Sequence, residues 1–545
     1  GDAAAAKAFI DQYSYIAPDL QKLLDGANAT VPVEFVPMYN PEAIVVTPSA
    51  TPTSGVIGRV PLAEALATLQ PPSVWQNFYD LTQVPRPSHH EEQATAFMAD
   101  FGRMLGLETV VDDAGNVIIR KPATKGLEGR PGVILQAHMD MVPQKTPAST
   151  HNFETDPINA YIEDGWVHAD ETTLGADDGI GVAIIMALLQ ADDVVHGPLE
   201  ALFTVNEEDG FTGINALAPD ALHGKFFINV DNEVEGQFLI SSAGAVYEDV
   251  QATYDEEATL DGMTGLQIAI DGLTGGHSGA DINKGRGSAH QLMARLLWNA
   301  PAIFDVRLAS LTGGNQRNAI PRTTTATVAL PADQADAFIK YVNDFGATVA
   351  RELAVTEPKL VVTVKPASLP AKVMAAAAQR ALIGAVYAAP QGVLRMSDAV
   401  PGLVETSGNI GILIIGDGQF TASVYVRSAL DSARDDAAQR FASVFELAGA
   451  TVALSGAYSS WPPNPDSPLL ALMRQVYTDL FSVPPAVVAI HAGLETSVAG
   501  VKYPGLDMIS IGPTILDVHS PDERLEAAGV PKVYDLLVAV LKQIE

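Results

Sequence analysis

Short apolar runs, too brief for helices, recur along this chain, and charged or imidazole side chains follow them. Val133–Ala137 runs into His138 and Asp140, and Ala201–Val205 into Asn206-Glu207-Glu208. Phe226–Val230 runs into Asp231, and Met508–Ile511 leads after a loop to His519. Runs of this length and makeup read as strands buried on both faces. Val117–Arg120 reads as another strand, and Trp75–Leu81, Glu91–Leu105 and Ile180–Gln190 read as helices, the last apolar nearly all round. Strands alternating with helices predict an α/β fold, a sheet with helices on both faces and three layers in all.

The pattern is interrupted once. Over residues 246–456 the strands Leu266–Ile270, Thr323–Leu330, Leu360–Val364, Ile410–Ile415 and Ala422–Val426 include several that alternate as half-exposed strands do, with helices such as Asp333–Leu353 between them. This reads as a separate α+β domain inserted into the first. The α/β texture of residues 71–245 resumes at 457–545, with helices Pro468–Phe481 and Val530–Ile544. Residues 1–70 read as an N-terminal extension: one helix from Ala3 to Tyr15, then a Pro/Thr/Ser-rich run from Val31 to Gly58 expected to be extended surface chain.

A chain of 545 residues exceeds one ordinary domain. Its net charge of −33 opposes nucleic acid and anionic membranes and favours cations, metals included. No run approaches the ~18 uninterrupted apolar residues of a membrane span. There is no cysteine, so disulfides, thiolate ligands and cysteine nucleophiles are excluded, and a metal would have to bind His and carboxylate. The lack of cysteine fits the cytoplasm and the bacterial periplasm alike. Gly1 in place of Met fits a trimmed leader, which would make the protein periplasmic or otherwise exported; without a leader the expectation is cytoplasmic.

In open α/β sheets ligands bind beyond the carboxyl ends of strands, so these side chains are placed to converge on one crevice. Charge at the end of a buried strand is costly unless paired or metal-bound. The Gly-rich segment Thr172 to Gly181 adds Asp177 and Asp178 where a helix opens. Taken singly each piece has an ordinary explanation: a surface hydrogen bond for His-x-Asp, a solvated loop for Glu-Glu, a helix cap for Asp177. Ser520 and Glu523 read as a capping box with Pro521 at the first helical position, which leaves His519 unexplained. The case rests on their conjunction.

Together these stretches are identifiable. The chain resembles the aminoacyl-histidine dipeptidases, relatives of the carnosinases among the co-catalytic zinc metallopeptidases. The resemblance is carried by Leu135-Gln136-Ala137-His138-Met139-Asp140-Met141-Val142, Thr172 to Gly181, Asn206-Glu207-Glu208, and Gly275-Gly276-His277-Ser278-Gly279. It continues through Arg317-Asn318-Ala319-Ile320-Pro321-Arg322, Val404-Glu405-Thr406-Ser407, His491-Ala492-Gly493-Leu494-Glu495, and Gly512-Pro513 through Glu523, in order over roughly 71–545.

The resemblance implies a catalytic domain built from 71–245 and 457–545 with 246–456 inserted as a lid. It implies two Zn²⁺ ions, with Mn²⁺ or Co²⁺ as substitutes. His138 and Asp231 would hold one ion, Glu208 and His519 the other, and Asp177 would bridge them. Asp140 would orient the His138 imidazole, and Glu207 would be the general base. His277, Asn318 and Arg427 would line the substrate side from the lid. The implied reaction is hydrolysis of dipeptides, Xaa-His and related ones, by a metal-bridging hydroxide; the same centre would serve an N-acyl amino acid hydrolase or a carboxypeptidase. Relatives often place a lid histidine across a dimer interface, so a homodimer is one implied arrangement; a lid of this length supplying His277 within one chain is the other.

The chemistry suits the residues. Imidazole and carboxylate are good Zn²⁺ ligands, a ligating His needs its second nitrogen fixed, and a carboxylate free of metal must carry the proton. Four positions depart from the family's pattern: Asp178 stands where Asn is expected, Asn206 where Asp is expected, and Thr496 and Ser497 follow Glu495 where relatives usually differ. None removes a ligand. A catalytically silent binding protein on this scaffold would lack the base or a ligand, and all are present.

Overall fold

The computed structural model describes residues 58–398, 400 and 402–545. The helix expected from Ala3 to Tyr15 and nearly all of the run from Val31 to Gly58 lie outside the described residues. The segment 58–70, read as the end of an extension, joins the folded body: Val60–Pro61 pairs antiparallel with Tyr161–Ile162, and Leu62 is fully buried.

The first sheet has eight strands, in the order Glu108–Val111, Val117–Lys121, Leu199–Thr204, Val133–His138, Phe226–Asn229, Asp507–Ser510, Gln237–Ser242 and Ala486–Ile490. The four apolar runs form its centre and pair in parallel. Their carboxyl ends therefore open on one edge. Alternation along each strand divides its side chains between two cores. Val133, Leu135 and Ala137 pack with helices Pro72–Thr82, Ala176–Gln190, Pro468–Phe481 and Val530–Gln543. Ile134, Leu202, Phe227 and Met508 pack with helices Thr212–Ala216 and Glu495–Lys502 on the opposite face. Each fully buried Leu or Ile contributes about 1.5–3 kcal/mol, which makes the sheet a rigid floor for what stands at its edge.

Residues 244–458 build a second sheet, antiparallel throughout, from Gly244–Thr253 to Thr451–Tyr458. Its helices Ala289–Asn299, Ala335–Glu352, Ala376–Ala388 and Asp431–Leu447 share one core with it. The chain enters and leaves side by side, since Ser242 and Trp461 exchange backbone hydrogen bonds at 3.1 and 3.0 Å.

One sequence expectation fails here. No helix begins at Pro521. The Ser520 hydroxyl donates to the Asp517 carbonyl, and Arg524–Glu526 is a strand paired with Trp166–Ala169. His519 sits in the loop between the paired strands Ile515–Leu516 and Arg524–Glu526. Glu523 has been recruited elsewhere, and a carboxylate committed to distant amides cannot also cap its own segment.

Candidate metal centre

His138 ends its strand almost fully buried. Its Nδ1 lies 3.1 Å from the Asp140 carbonyl and 3.4 Å from Asp140 Oδ1. Its Nε2 faces Asp177 Oδ1 at 3.1 Å and Asp231 Oδ1 at 3.6 Å. His519 Nε2 lies 3.1 Å from the other Asp177 oxygen and 2.9 Å from Glu208 Oε2. The five expected ligand residues thus form one chain of contacts with Asp177 between the two histidines. Ligand atoms of His138, Asp177 and Glu208 all lie within 4.8 Å of one another.

The loop that carries Asp177 is held from outside. Glu523 accepts from the amides of Leu174, Gly175, Ala176 and Asp177, at 2.8, 3.1, 2.8 and 3.4 Å. The buried Arg86 donates to the carbonyls of Met139, Asp140 and Gly175 and so ties the His138 loop to the Asp177 loop. Gly175 has φ +68°, and a side chain there would strike the Arg86 guanidinium. The helix opens through non-helical φ/ψ at Asp177 and Asp178, whose peptide is cis.

Two of the departures, Asp178 and Asn206, have local explanations. Asp178 accepts from the amides of His138 and Gly181, so its carboxylate stitches the strand end to the helix start. Asn206 has φ +51°, a conformation that Asn tolerates better than most residues, and its amide donates to Asp209 O and Thr212 Oγ1.

Buried charge is unbalanced at this centre. Burial raises Glu208 to about 7 and also raises Asp231 from its ordinary value. Glu207 is pushed well up by burial, with Glu208 and Asp231 adding to it. Asp177 is also buried, but hydrogen bonds from His138 and His519 outweigh that and hold it low. Burial would lower the His519 pKa, yet Asp177 and Glu208 lift it to about 11. Glu208 Oε1 is buried with no hydrogen-bond partner. An excess of buried carboxylate, two imidazoles drawn to it and an orphaned oxygen are what a site for divalent cations requires, so these residues fit the metal ions that the resemblance implies.

Glu207 makes no hydrogen bond or ion pair through its side chain among the described residues, whereas its backbone amide is fixed by Asp140 Oδ1 at 3.0 Å. The residues expected to face the substrate come together in part. His277 Nδ1 accepts from the amides of Gly279 and Ala280 at 3.3 and 3.1 Å. Burial and then Arg427 lower its pKa to about 4 against an opposing effect of Asp281, so the ring is neutral near pH 7 and, with Nδ1 accepting, carries its proton on Nε2. That nitrogen lies 3.2 Å from Arg427 Nη2, so two donors border the same space. Asn318 joins only through its carbonyl, which accepts from Ser278, and the residue is exposed.

Several residues that sequence reasoning left without a role stand beside these. His491 Nε2 pairs with Ser407 Oγ at 2.7 Å, joining the second sheet to the first body. Buried Glu495 accepts from Gln136 and Thr204 beneath the strand end, at 2.5 and 2.7 Å. Tyr458 accepts from Arg427 Nη1 at 3.3 Å. The familial stretches Val404 to Ser407 and His491 to Glu495 were the available signals; for Tyr458 nothing local marks the partner.

The chain is similar to known proteins over most of its length. The sequence pattern of peptidase family M20/M25/M40 matches residues 134–543. The chain is 40% identical over 479 residues to the cytosol non-specific dipeptidase of Escherichia coli strain K12, covering 88% of this chain and 99% of that one. The crystal structure of aminoacylhistidine dipeptidase from Vibrio alginolyticus is similar with a TM-score of 0.81 and 41% identity, over 88% of this chain and 98% of that one. A Staphylococcus aureus tripeptidase shares the fold, with a TM-score of 0.53 and 15% identity over 87% of this chain and 99% of that one.

Proposed function

The chain belongs to peptidase family M20/M25/M40 and is a metallopeptidase, and from that premise we propose that it hydrolyses the peptide bond of dipeptides, Xaa-His among them, with two metal ions in the centre around Asp177. The observation that carries this reading is the position of Asp177, one oxygen toward His138 and the other toward His519. His138 and Asp231 would hold one ion and Glu208 and His519 the other; zinc suits this donor set, and manganese or cobalt would be tolerated. When bound, such ions polarise the scissile carbonyl and make water a nucleophile near neutral pH.

The chain's own residues do the rest. Glu207, whose side chain has no partner among the described residues, takes the proton from the attacking water and returns it to the leaving amine. Asp140 fixes the amide that sets where Glu207 stands. His277 directs Nε2–H at the carbonyl oxygen as negative charge develops there. Arg427 holds the C-terminal carboxylate, with the second sheet acting as a lid that brings both groups to the centre. The names of the Escherichia coli and Vibrio alginolyticus relatives support dipeptides as substrates.

The test is a substrate panel read by released amino acid, with Zn²⁺ or Mn²⁺ added: Ala-His, carnosine, two tripeptides and two N-acetyl amino acids. Cleavage of the dipeptides well ahead of the others is expected. Turnover of acyl amino acids or of tripeptides alone would replace this reading with an acylase or an exopeptidase on the same centre.

A further inference from the structure

Arg427 is only 4% exposed, and among the described residues no carboxylate pairs with it. Its guanidinium meets Tyr458 Oη, His277 Nε2 and the face of the Tyr425 ring, whose centroid is 4.2 Å from Cζ. Its Nε is buried without a hydrogen-bond partner among the described residues. A buried cation without a counter-ion is unfavourable unless something else compensates. Here the compensation is aromatic. Tyr425 stacks on Tyr247 with ring centroids 4.0 Å apart and planes 11° from parallel. Arg317 closes the far end, its Cζ 4.7 Å from the Tyr247 centroid, and is itself paired with Asp249.

Strand register builds this column. Tyr425 and Arg427 are two residues apart on Gln419–Ser428 and therefore share a face. Tyr247 lies directly opposite Tyr425 on the antiparallel neighbour. Aromatic faces attract a guanidinium and fix its plane. Unlike an acidic partner, they leave its charge unneutralised, and Nη1 and Nη2, each with one contact, at Tyr458 Oη and His277 Nε2, keep a second N–H for an incoming anion.

We propose that Tyr425 and Tyr247 are positioning residues that hold Arg427 flat, charged and unpaired, so that the enzyme requires a free C-terminal carboxylate on its substrate. The inference rests on the reading above, in which Arg427 binds that carboxylate. It assigns specificity to a cross-strand aromatic pair that need not touch the substrate.

The experiment compares steady-state kinetics on Ala-His and on its C-terminal amide for the parent enzyme and the variants Tyr425→Leu, Tyr425→Phe, Tyr247→Leu, Tyr247→Phe and Arg427→Ala. Tyr425→Leu is expected to raise KM for Ala-His about tenfold with a smaller change in kcat, and to shrink the preference for the free acid over the amide by a similar factor. Tyr425→Phe keeps the ring and is expected to retain the preference. Tyr247→Leu should shift it in the same sense and Tyr247→Phe should not, which decides the matter if Tyr425→Leu does not fold. Unchanged preference in the Leu variants, or a Phe variant as impaired as its Leu counterpart, overturns the proposal. Arg427→Ala separates the two readings. If it leaves the preference intact, the carboxylate role of Arg427 fails and the platform fails with it. If it abolishes the preference while the Leu variants do not, only the platform fails.

Discussion

The backbone amide of Glu207 donates to Asp140 Oδ1 at 3.0 Å, so the carboxylate beside the His138 ring also fixes the peptide from which Glu207 projects. Asp140 Oδ2 accepts from the Glu208 amide at 3.3 Å and from Ser88 Oγ at 2.7 Å. One side chain thus aligns a proposed ligand, the proposed base and a second ligand. Asp140→Ala is expected to weaken metal binding about 10–100-fold, as loss of such an orienting partner does. It should also lower kcat when metal is saturating, because Glu207 loses its anchor. Metal titration against a competing chelator, followed by kcat at saturating metal, checks both. A kcat that recovers fully with excess metal would restrict Asp140 to holding the imidazole.

Glu207→Gln should separate chemistry from binding. The amide keeps the shape but cannot take a proton, so kcat is expected to fall about 10²–10⁴-fold. Bound metal measured by elemental analysis should not change, because Glu208, not Glu207, meets His519. Retention of activity would remove Glu207 from the mechanism without touching the metal centre.

Glu523 serves four backbone amides with two oxygens. In Glu523→Gln one oxygen becomes an NH₂ group that faces N–H donors. Each buried donor left unpaired costs about 1–3 kcal/mol. The variant is expected to melt several degrees below the parent and to bind metal more weakly, since Asp177 is one of the four residues held. Thermal unfolding and metal titration of parent and variant together test this, and equal values in both would mean that the loop holds itself.

Periodicity made the central strands legible, and the residue types after them pointed to the ligands. Helix Pro468–Phe481 was readable to the residue because Ser467 caps it and Pro468 opens it. Glu523 shows where such reading ends. Locally its spacing from Ser520 is that of a capping box, and only tertiary structure brings it to residues 174–177 nearly 350 positions away. The short paired strands Ala160–Glu163 and Trp166–Ala169 carried too little pattern to find. The Tyr247–Tyr425 pair depends on register between strands far apart in sequence, which no local signal encodes.

Removing metal should do more than stop turnover. The carboxylates around Asp177 are crowded and buried, and bound cations relieve that repulsion in the folded state alone. A ligand that binds only the native state stabilises it by mass action. Exhaustive chelation is therefore expected to abolish activity and lower Tm, and Zn²⁺ or Mn²⁺ should restore both. Full activity in protein shown by elemental analysis to be metal-free would rule out the mechanism.

A second buried carboxyl lies in the other sheet and gives a stability test independent of catalysis. Glu248 is fully buried on Gly244–Thr253, and neither of its oxygens has a hydrogen-bond partner among the described residues. Burial, with a further contribution from Glu446 on Asp431–Leu447, raises its pKa from 4.5 to about 8. Between those values the unfolded chain has released a proton that the folded chain keeps, so folding becomes less favourable as pH rises. The loss begins near the unfolded value and is complete once pH passes the folded one. Glu248→Gln cannot ionise and should remove this slope. Its Tm is expected to exceed that of the parent by several degrees at pH 8 and to approach it near pH 4.5. Parallel melting curves over that range, read on the metal-loaded proteins, decide it: a constant offset at every pH would mean that Glu248 is ionised in the folded state despite its burial.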